Sequence, residues 1–169
     1  MNKSLLTLLL TLYICIGPAS LAQAEPEAEQ VLVGWVEKVS VNDHDFALHA
    51  KIDSGADNTS INTVNPEYYE KDGQRWVKFK VTNDEGKTLV IDKPIVRTTK
   101  IKTKDGGRQK RDVIELDLCL GKIKKTVRVS LVDRSHFKYQ LLVGRSYLRP
   151  EFLIDSGRRY LVEPDCGKN

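Results

Sequence analysis

The stretch Lys51-Ile52-Asp53-Ser54-Gly55-Ala56-Asp57-Asn58-Thr59-Ser60-Ile61 concentrates the residues that could do chemistry. An apolar run delivers Asp53 into a turn of small residues, which presents a carboxylate with little bulk around it. A carboxylate held in that way can take a proton from water or return one to a reacting group. Asp, Ser and Gly are also ordinary turn formers, so the triplet alone decides nothing. Asp155-Ser156-Gly157 repeats it near the end of the sequence. Only 12 residues follow Gly157, too few for a second active lobe. The expected role of Asp155 is a hairpin turn between Phe152–Ile154 and Tyr160–Val162.

Metal and nucleotide chemistry find less support. His44, His49 and His136 are the three imidazoles, and there is no His-Glu-x-x-His. On a strand His49 shares a face with Lys51, a poor neighbour for a cation. No Gly-x4-Gly-Lys-Ser/Thr loop is present to cradle a phosphate. The expectation is an absence of metal and of any other cofactor.

The elements that must position Asp53 read as strands. Phe46, Leu48, Ala50 and Ile52 alternate with Ala47, His49 and Lys51, the two-residue period of a half-buried strand running into Asp53. A first apolar strand is expected over Val31–Val39. Further period-two runs are Val77-Phe79-Val81, Ile114-Leu116-Leu118-Leu120 and Val127-Val129-Leu131, separated by turn signals at Asn83–Gly86, Asp105–Gly107 and Gly121-Lys122. One or two helical turns fit after Gly144, ended by Pro150. Short strands with Gly-marked turns point to an all-β domain, a small barrel or sandwich.

Composition bounds the classes of function. The chain has 169 residues with 27 Lys and Arg against 23 Asp and Glu. Residues 1–24 read as a signal peptide, with Lys3, an apolar run from Leu5 to Ile16 and Ala22-Gln23-Ala24 before the expected cleavage. The run is too short to span a bilayer, so stable membrane insertion is not expected, and the remaining domain, 25–169, is placed in the periplasm. Its net charge of +3 is too mild for a nucleic-acid binder. The strand setting of Cys119 and the polar tail around Cys166 weigh toward free thiols, while export leaves a bridge open. Arg97–Arg111 holds seven bases and one acid and reads as a solvated hairpin edge. Trp35 and Trp76 read as packing residues.

Asp53-Ser54-Gly55-Ala56-Asp57 resembles the active-site loop of retroviral-type aspartic peptidases. Leu141-Leu142-Val143-Gly144-Arg145 resembles that family's second signature, an apolar strand ending in Gly-Arg before a short helix. Lys104–Arg108 looks like a flap tip, Ile114–Gly121 like the strand leaving it and Val127–Val132 like the next strand. The resemblance covers roughly residues 46–150 and is closest in kind to bacterial retropepsin-like proteins once labelled ATP-dependent zinc proteases. One departure is the separation of 91 positions from Asp53 to Gly144, with a surplus between Asn62 and Lys100 from which no residue is carried over.

The resemblance implies a small closed β-barrel with one short C-terminal helix. It gives Asp53 the role of activating water, Ser54 that of locking two such loops together and Gly55 that of admitting a close backbone. Ala56, Asp57, Asn58, Gly106 and Gly107 would meet substrate, while Gly144 and Arg145 support the loop, Arg145 by pairing with Asp57. Such chemistry needs two carboxylates sharing a proton, because like charges about 3 Å apart cannot both ionise. A single Asp53 therefore implies a homodimer. The function expected is an exported aspartic endopeptidase hydrolysing polypeptide; the alternative is a non-catalytic envelope binding or scaffolding module on the same fold.

Overall fold

A computed structural model of the chain describes residues 29–42, 45–102 and 106–167. The expected signal peptide, His44 and Lys104-Asp105 lie outside the described residues. The strands are β1 (Val31–Gly34), β2 (Val36–Val41), β3 (Ala47–Asp53), β4 (Thr59–Asn62), β5 (Glu67–Lys71), β6 (Gln74–Thr82), β7 (Thr88–Pro94), β8 (Arg97–Lys102), β9 (Arg108–Leu120), β10 (Ile123–Val132), β11 (Leu141–Gly144) and β12 (Phe152–Asp155), with one helix, α1 (Arg145–Leu148), before β12. The described residues are thus nearly all β, and their one short helix lies where the sequence places it.

The main sheet runs in the order β10-β4-β11-β3-β2-β9-β8. An antiparallel pairing of β9 with β10, from Ile123↔Leu120 to Ser130↔Val113, joins it into a ring of six strands with β8 on the flank. Joining the ends removes two exposed edges that could recruit another strand. The alternation read in β3 is the reason for its orientation: Leu48, Ala50 and Ile52 are buried. They pack with Ile61, Ile114, Leu116, Leu118, Val129, Leu141 and Val143 in one core cluster. Tyr147 of α1 is fully buried in the same cluster. Its hydroxyl accepts from the Leu120 amide at 3.1 Å and donates to the Ile123 carbonyl at 2.7 Å, so no polar atom is stranded there.

Two strand expectations need correction. The run Val31–Val39 breaks at Trp35: β1 leaves to pair in parallel with β12, while β2 stays in the ring. The break follows from a close backbone approach, since a Cβ at Gly34 would lie 2.5 Å from the Arg158 carbonyl oxygen. The Asp155 turn exists, with its carboxylate accepting from the Gly157 amide at 2.7 Å, but no hairpin follows. Tyr160 instead donates its amide to Val36, and the Leu161 and Val162 amides donate to the Glu37 carboxylate at 2.9 and 3.3 Å. Glu37 is fully buried, and these amides with that of Gly34 are its compensation.

The surplus between Asn62 and Lys100 holds a three-stranded meander, β5-β6-β7, followed by most of β8. Val77, Phe79, Val81 and Ile91 of the meander join the shared core.

Cys119 and Cys166 form a disulfide, which corrects the weighting toward free thiols. The bridge closes a loop of sequence separation 47 and ties the tail to β9. In the chain-entropy account such a closure stabilises by roughly 4 kcal/mol. Changing Cys119 to Ala together with Cys166 to Ser should lower the unfolding free energy by about 2–4 kcal/mol in a urea titration; an unshifted midpoint would contradict this role.

Gly144 permits a second close approach. A Cβ built there would stand 2.7 Å from both the carbonyl carbon and the oxygen of Asn58 and 3.0 Å from the Ala56 oxygen. All three are backbone atoms that cannot swing aside. Gly144→Ala is expected to cost about 2–4 kcal/mol, in the range of severe overpacking, and to displace residues 54–58. Thermal unfolding together with amide shifts of the 54–58 loop would test it.

Candidate active site

Asp53 is the last residue of β3, and β11 runs parallel beside it in the register Leu141↔Ala50 to Gly144↔Asp53. The chain then turns through residues 54–58 across Gly144 and enters β4. Two main-chain bonds and one to a side chain fix the crossing. The Arg145 and Ser146 amides, at the start of α1, donate to the Ala56 and Asp57 carbonyls at 2.9 and 3.0 Å. The Gly144 amide donates to the Thr59 hydroxyl at 3.2 Å.

Arg145 adds a charged clamp. Its Nη1 donates to the Ser54 carbonyl at 2.7 Å and the Gly55 carbonyl at 3.1 Å, and its Nη2 lies 3.4 Å from Asp57 Oδ1. The expected ion pair with Asp57 is therefore present, yet the shorter contacts go to the main chain. Both partners of the pair are well exposed, so the pair itself contributes at most about 1 kcal/mol. The clamp acts mainly by holding the two carbonyls that follow Asp53.

The Asp53 side chain is 23% exposed. Its Oδ1 accepts from the Gly55 and Ala56 amides at 3.0 and 3.2 Å, and its Oδ2 lies 3.2 Å from Lys51 Nζ. Partial burial pushes the carboxyl pKa up, but the Lys51 ammonium and the two amides outweigh it, and the result lies below the ordinary 3.8. Within this chain Asp53 is consequently an ionised base at neutral pH.

The structure brings Asp53, Ser54, Gly55, Ala56, Asp57, Asn58, Gly144 and Arg145 into one cluster. Ser54, Gly55, Asp57 and Asn58 are exposed, and Ala56 is half-buried. Gly106 and Gly107 belong to a different connection. They stand exposed at the β8–β9 connection, whereas β9 meets β10 only from Val113 onward. A cavity of about 340 Å³ is lined by Lys38, His49, Asp84, Glu163 and Cys166, and Asp53 does not line it. His49 Nδ1 lies 2.5 Å from the Asp84 carboxylate, and among the described residues no group of three His, Cys, Asp or Glu side chains could hold a metal.

Sequence reasoning missed two neighbours. Lys51 enters the sequence reading only as a strand neighbour of His49, although its two-residue spacing from Asp53 places both on one face. Arg134 carries no motif at all; it is almost fully buried and donates from Nη1 to the Ser60 hydroxyl at 3.1 Å.

Known proteins resemble this chain in three ways. A family model described as retropepsin-like aspartic endopeptidase RimB matches residues 32–165. A protein of Desulfotalea psychrophila named probable alpha-L-glutamate ligase is 31% identical over 112 residues, covering 64% of this chain and 24% of its own length. One of Shewanella pealeana with the same name is 30% identical over 119 residues, covering 69% and 26%. The chain thus spans about a quarter of the length of these curated relatives. A solved structure from Legionella pneumophila, of a protein of unknown function, superposes with a TM-score of 0.66 at 30% identity, covering 78% of this chain and 98% of that one.

These relatives correct the expected function. An exported endopeptidase acting on polypeptide through paired Asp53 residues, and its rival, a non-catalytic envelope module, both leave out what the curated relatives are named for, the joining of glutamate. The match over residues 32–165, with the Asp53 loop and the Gly144-Arg145 clamp inside it, places the chain in the RimB-like family of retropepsin-like proteins.

Proposed function

We propose that the chain is an enzyme of glutamate-linked amide bonds with Asp53 as its acid–base carboxylate. The observation that carries the reading is the Asp53 environment: a carboxylate ordered by two amides and an ammonium, kept ionised and partly open at the end of a strand. The family description supports an aspartic type of catalysis, and the names of the curated relatives supply the bond.

Without a coupled energy source, the excess of water sets the direction of amide chemistry as hydrolysis, and an acid–base group accelerates it. Asp53 would take a proton from water as the oxygen attacks the glutamyl carbonyl carbon. The carbon–nitrogen bond then breaks, and the leaving amine takes up a proton. One carboxylate serves as base but cannot at the same moment donate to the carbonyl oxygen. The reaction therefore needs a second donor group beside the carbonyl oxygen.

A second reading rests on the relatives' length. Because the chain matches only about a quarter of proteins named as ligases, it can be a part that recognises glutamyl chains for chemistry located elsewhere. The two readings separate at Asp53.

A peptide ending in several glutamates, incubated with the protein and followed by mass spectrometry, should be shortened. Asp53→Asn should slow this roughly 10³-fold, within the range usual for loss of a general base. Equal rates, or no shortening with either protein, would reject hydrolysis and favour recognition.

Stability gives a further readout. The folded pKa of Asp53 is depressed, so its contribution is present above the unfolded value near 3.8 and is lost as pH falls through the lower folded value. Asp53→Asn should therefore flatten the acid limb of stability against pH below about 4 and leave the neutral region less affected; identical acid limbs would contradict the assigned environment.

A further inference from the structure

The face that bears Asp53 carries a feature its acid–base chemistry does not use. Register places Lys51, Leu142, Ser60, Ser130 and Val113 side by side across five strands. Cross-strand partners share a face, and so do residues two apart on one strand. Asp53 is two residues from Lys51 and Arg111 two from Val113, so both belong to this face. The turn between β10 and β11 contributes Arg134 over it.

Arg134 is 7% exposed. Its Nη1 donates to the Ser60 hydroxyl and its Nε to the Tyr139 carbonyl, each at 3.1 Å, and its guanidinium carbon lies 4.7 Å from the Phe137 ring centre. Neither acceptor is charged, and among the described residues no carboxylate lies within ion-pair distance of it. A buried guanidinium without an acidic partner is rare, because its desolvation is left uncompensated. Burial lowers its pKa, the field of Asp53 raises it and Arg111 lowers it, so the three groups share one electrostatic neighbourhood.

The same turn holds a buried polar group that lacks any hydrogen-bond partner among the described residues, the Tyr139 hydroxyl. Its ring meets Trp35 edge-on at 6.2 Å, and the Trp35 carbonyl accepts the Ile52 amide at 2.9 Å, next to Asp53. Lys51 is already engaged by the Asp53 carboxylate and does not neutralise an incoming acid by itself.

We infer that Arg134 is the receptor for a carboxylate of the substrate, with the Tyr139 hydroxyl as a second donor, and that it selects chains with an acidic side chain beside the bond presented to Asp53. Glutamate as that acid rests on the proposed function; the demand for a carboxylate rests on the surroundings of Arg134 itself. A charge-assisted contact to a buried guanidinium discriminates strongly between a carboxylate and the isosteric amide.

The test separates binding from turnover. In full-length protein carrying Asp53→Asn, the affinities of fluorescent tetraglutamate and tetraglutamine peptides are compared by anisotropy. Tetraglutamate should bind at least about tenfold tighter, and adding Arg134→Met should erase that preference while leaving tetraglutamine within about twofold. Tyr139→Phe should weaken tetraglutamate a few-fold. Equal affinities, no binding of either peptide, or a preference that survives Arg134→Met would overturn the inference. Should Arg134→Met fail to fold, Arg134→Lys replaces it, and the comparison of peptides with Arg134 intact still decides. A preference for tetraglutamate without any cleavage by the unmodified protein would reject hydrolysis while supporting the receptor.

Discussion

The absence of a side chain at Gly144 is the constraint on which the site depends. Residues 54–58 can return across β11 only because the Asn58 and Ala56 backbones occupy the space where a Cβ would be. That crossing lets the α1 amides reach the Ala56 and Asp57 carbonyls and lets Arg145 span the Ser54 and Gly55 carbonyls. The amides of Gly55 and Ala56 are then turned toward Asp53. Two distant segments thus act as one unit: the strand that delivers the carboxylate and the strand that floors its loop. The six-strand ring matters to function chiefly because it brings β3 and β11 into parallel contact.

Electrostatics on that face are set by register and hardly by composition. The chain is only mildly basic, yet Lys51, Arg111 and Arg134 gather on the side of the sheet that holds Asp53. Lys51 and the Gly55 and Ala56 amides favour ionised Asp53, and Arg134 is left with no carboxylate within ion-pair distance among the described residues. Exposed Arg145 and Asp57 contribute little through their charges, so the asymmetry rests on the buried and half-buried members. A face so arranged is matched by a ligand that brings negative charge.

Much of this was legible in the sequence where a local rule applied. Period-two alternation located β3, β6, β9 and β10, and the Asp53 loop with the Gly144-Arg145 ending located the cluster. Local rules failed where a distant segment decided the outcome. Trp35 breaks the first strand because Arg158, more than a hundred residues away, presses on Gly34. Tyr160–Val162 runs beside β2 and not back along β12, because a buried Glu37 offers acceptors that no periodicity reveals. The disulfide depended on the tail reaching β9, again a matter of tertiary path. Arg134 was invisible for the same reason: an arginine in a polar turn reads as solvated until the turn folds over Ser60.

The correction of function follows a related logic. Motif chemistry identified a carboxylate able to move a proton, and that property is common to enzymes that cleave many kinds of amide. In the reading proposed above, the amide is chosen by groups that do not react, and those groups lie on the turn between β10 and β11, outside both motifs. A resemblance built on residues 53–57 and 141–145 therefore speaks to the type of chemistry and is silent on the substrate. Specificity in such a site comes from leaving a buried donor unpaired until the correct ligand arrives, since an analogue lacking the acceptor leaves that donor unsatisfied. The unneutralised Arg134 and the unbonded Tyr139 hydroxyl have that character, whereas the fully satisfied Glu37 and Tyr147 do not. Polar satisfaction across this protein thus divides the groups that hold the fold from those left free to choose a partner.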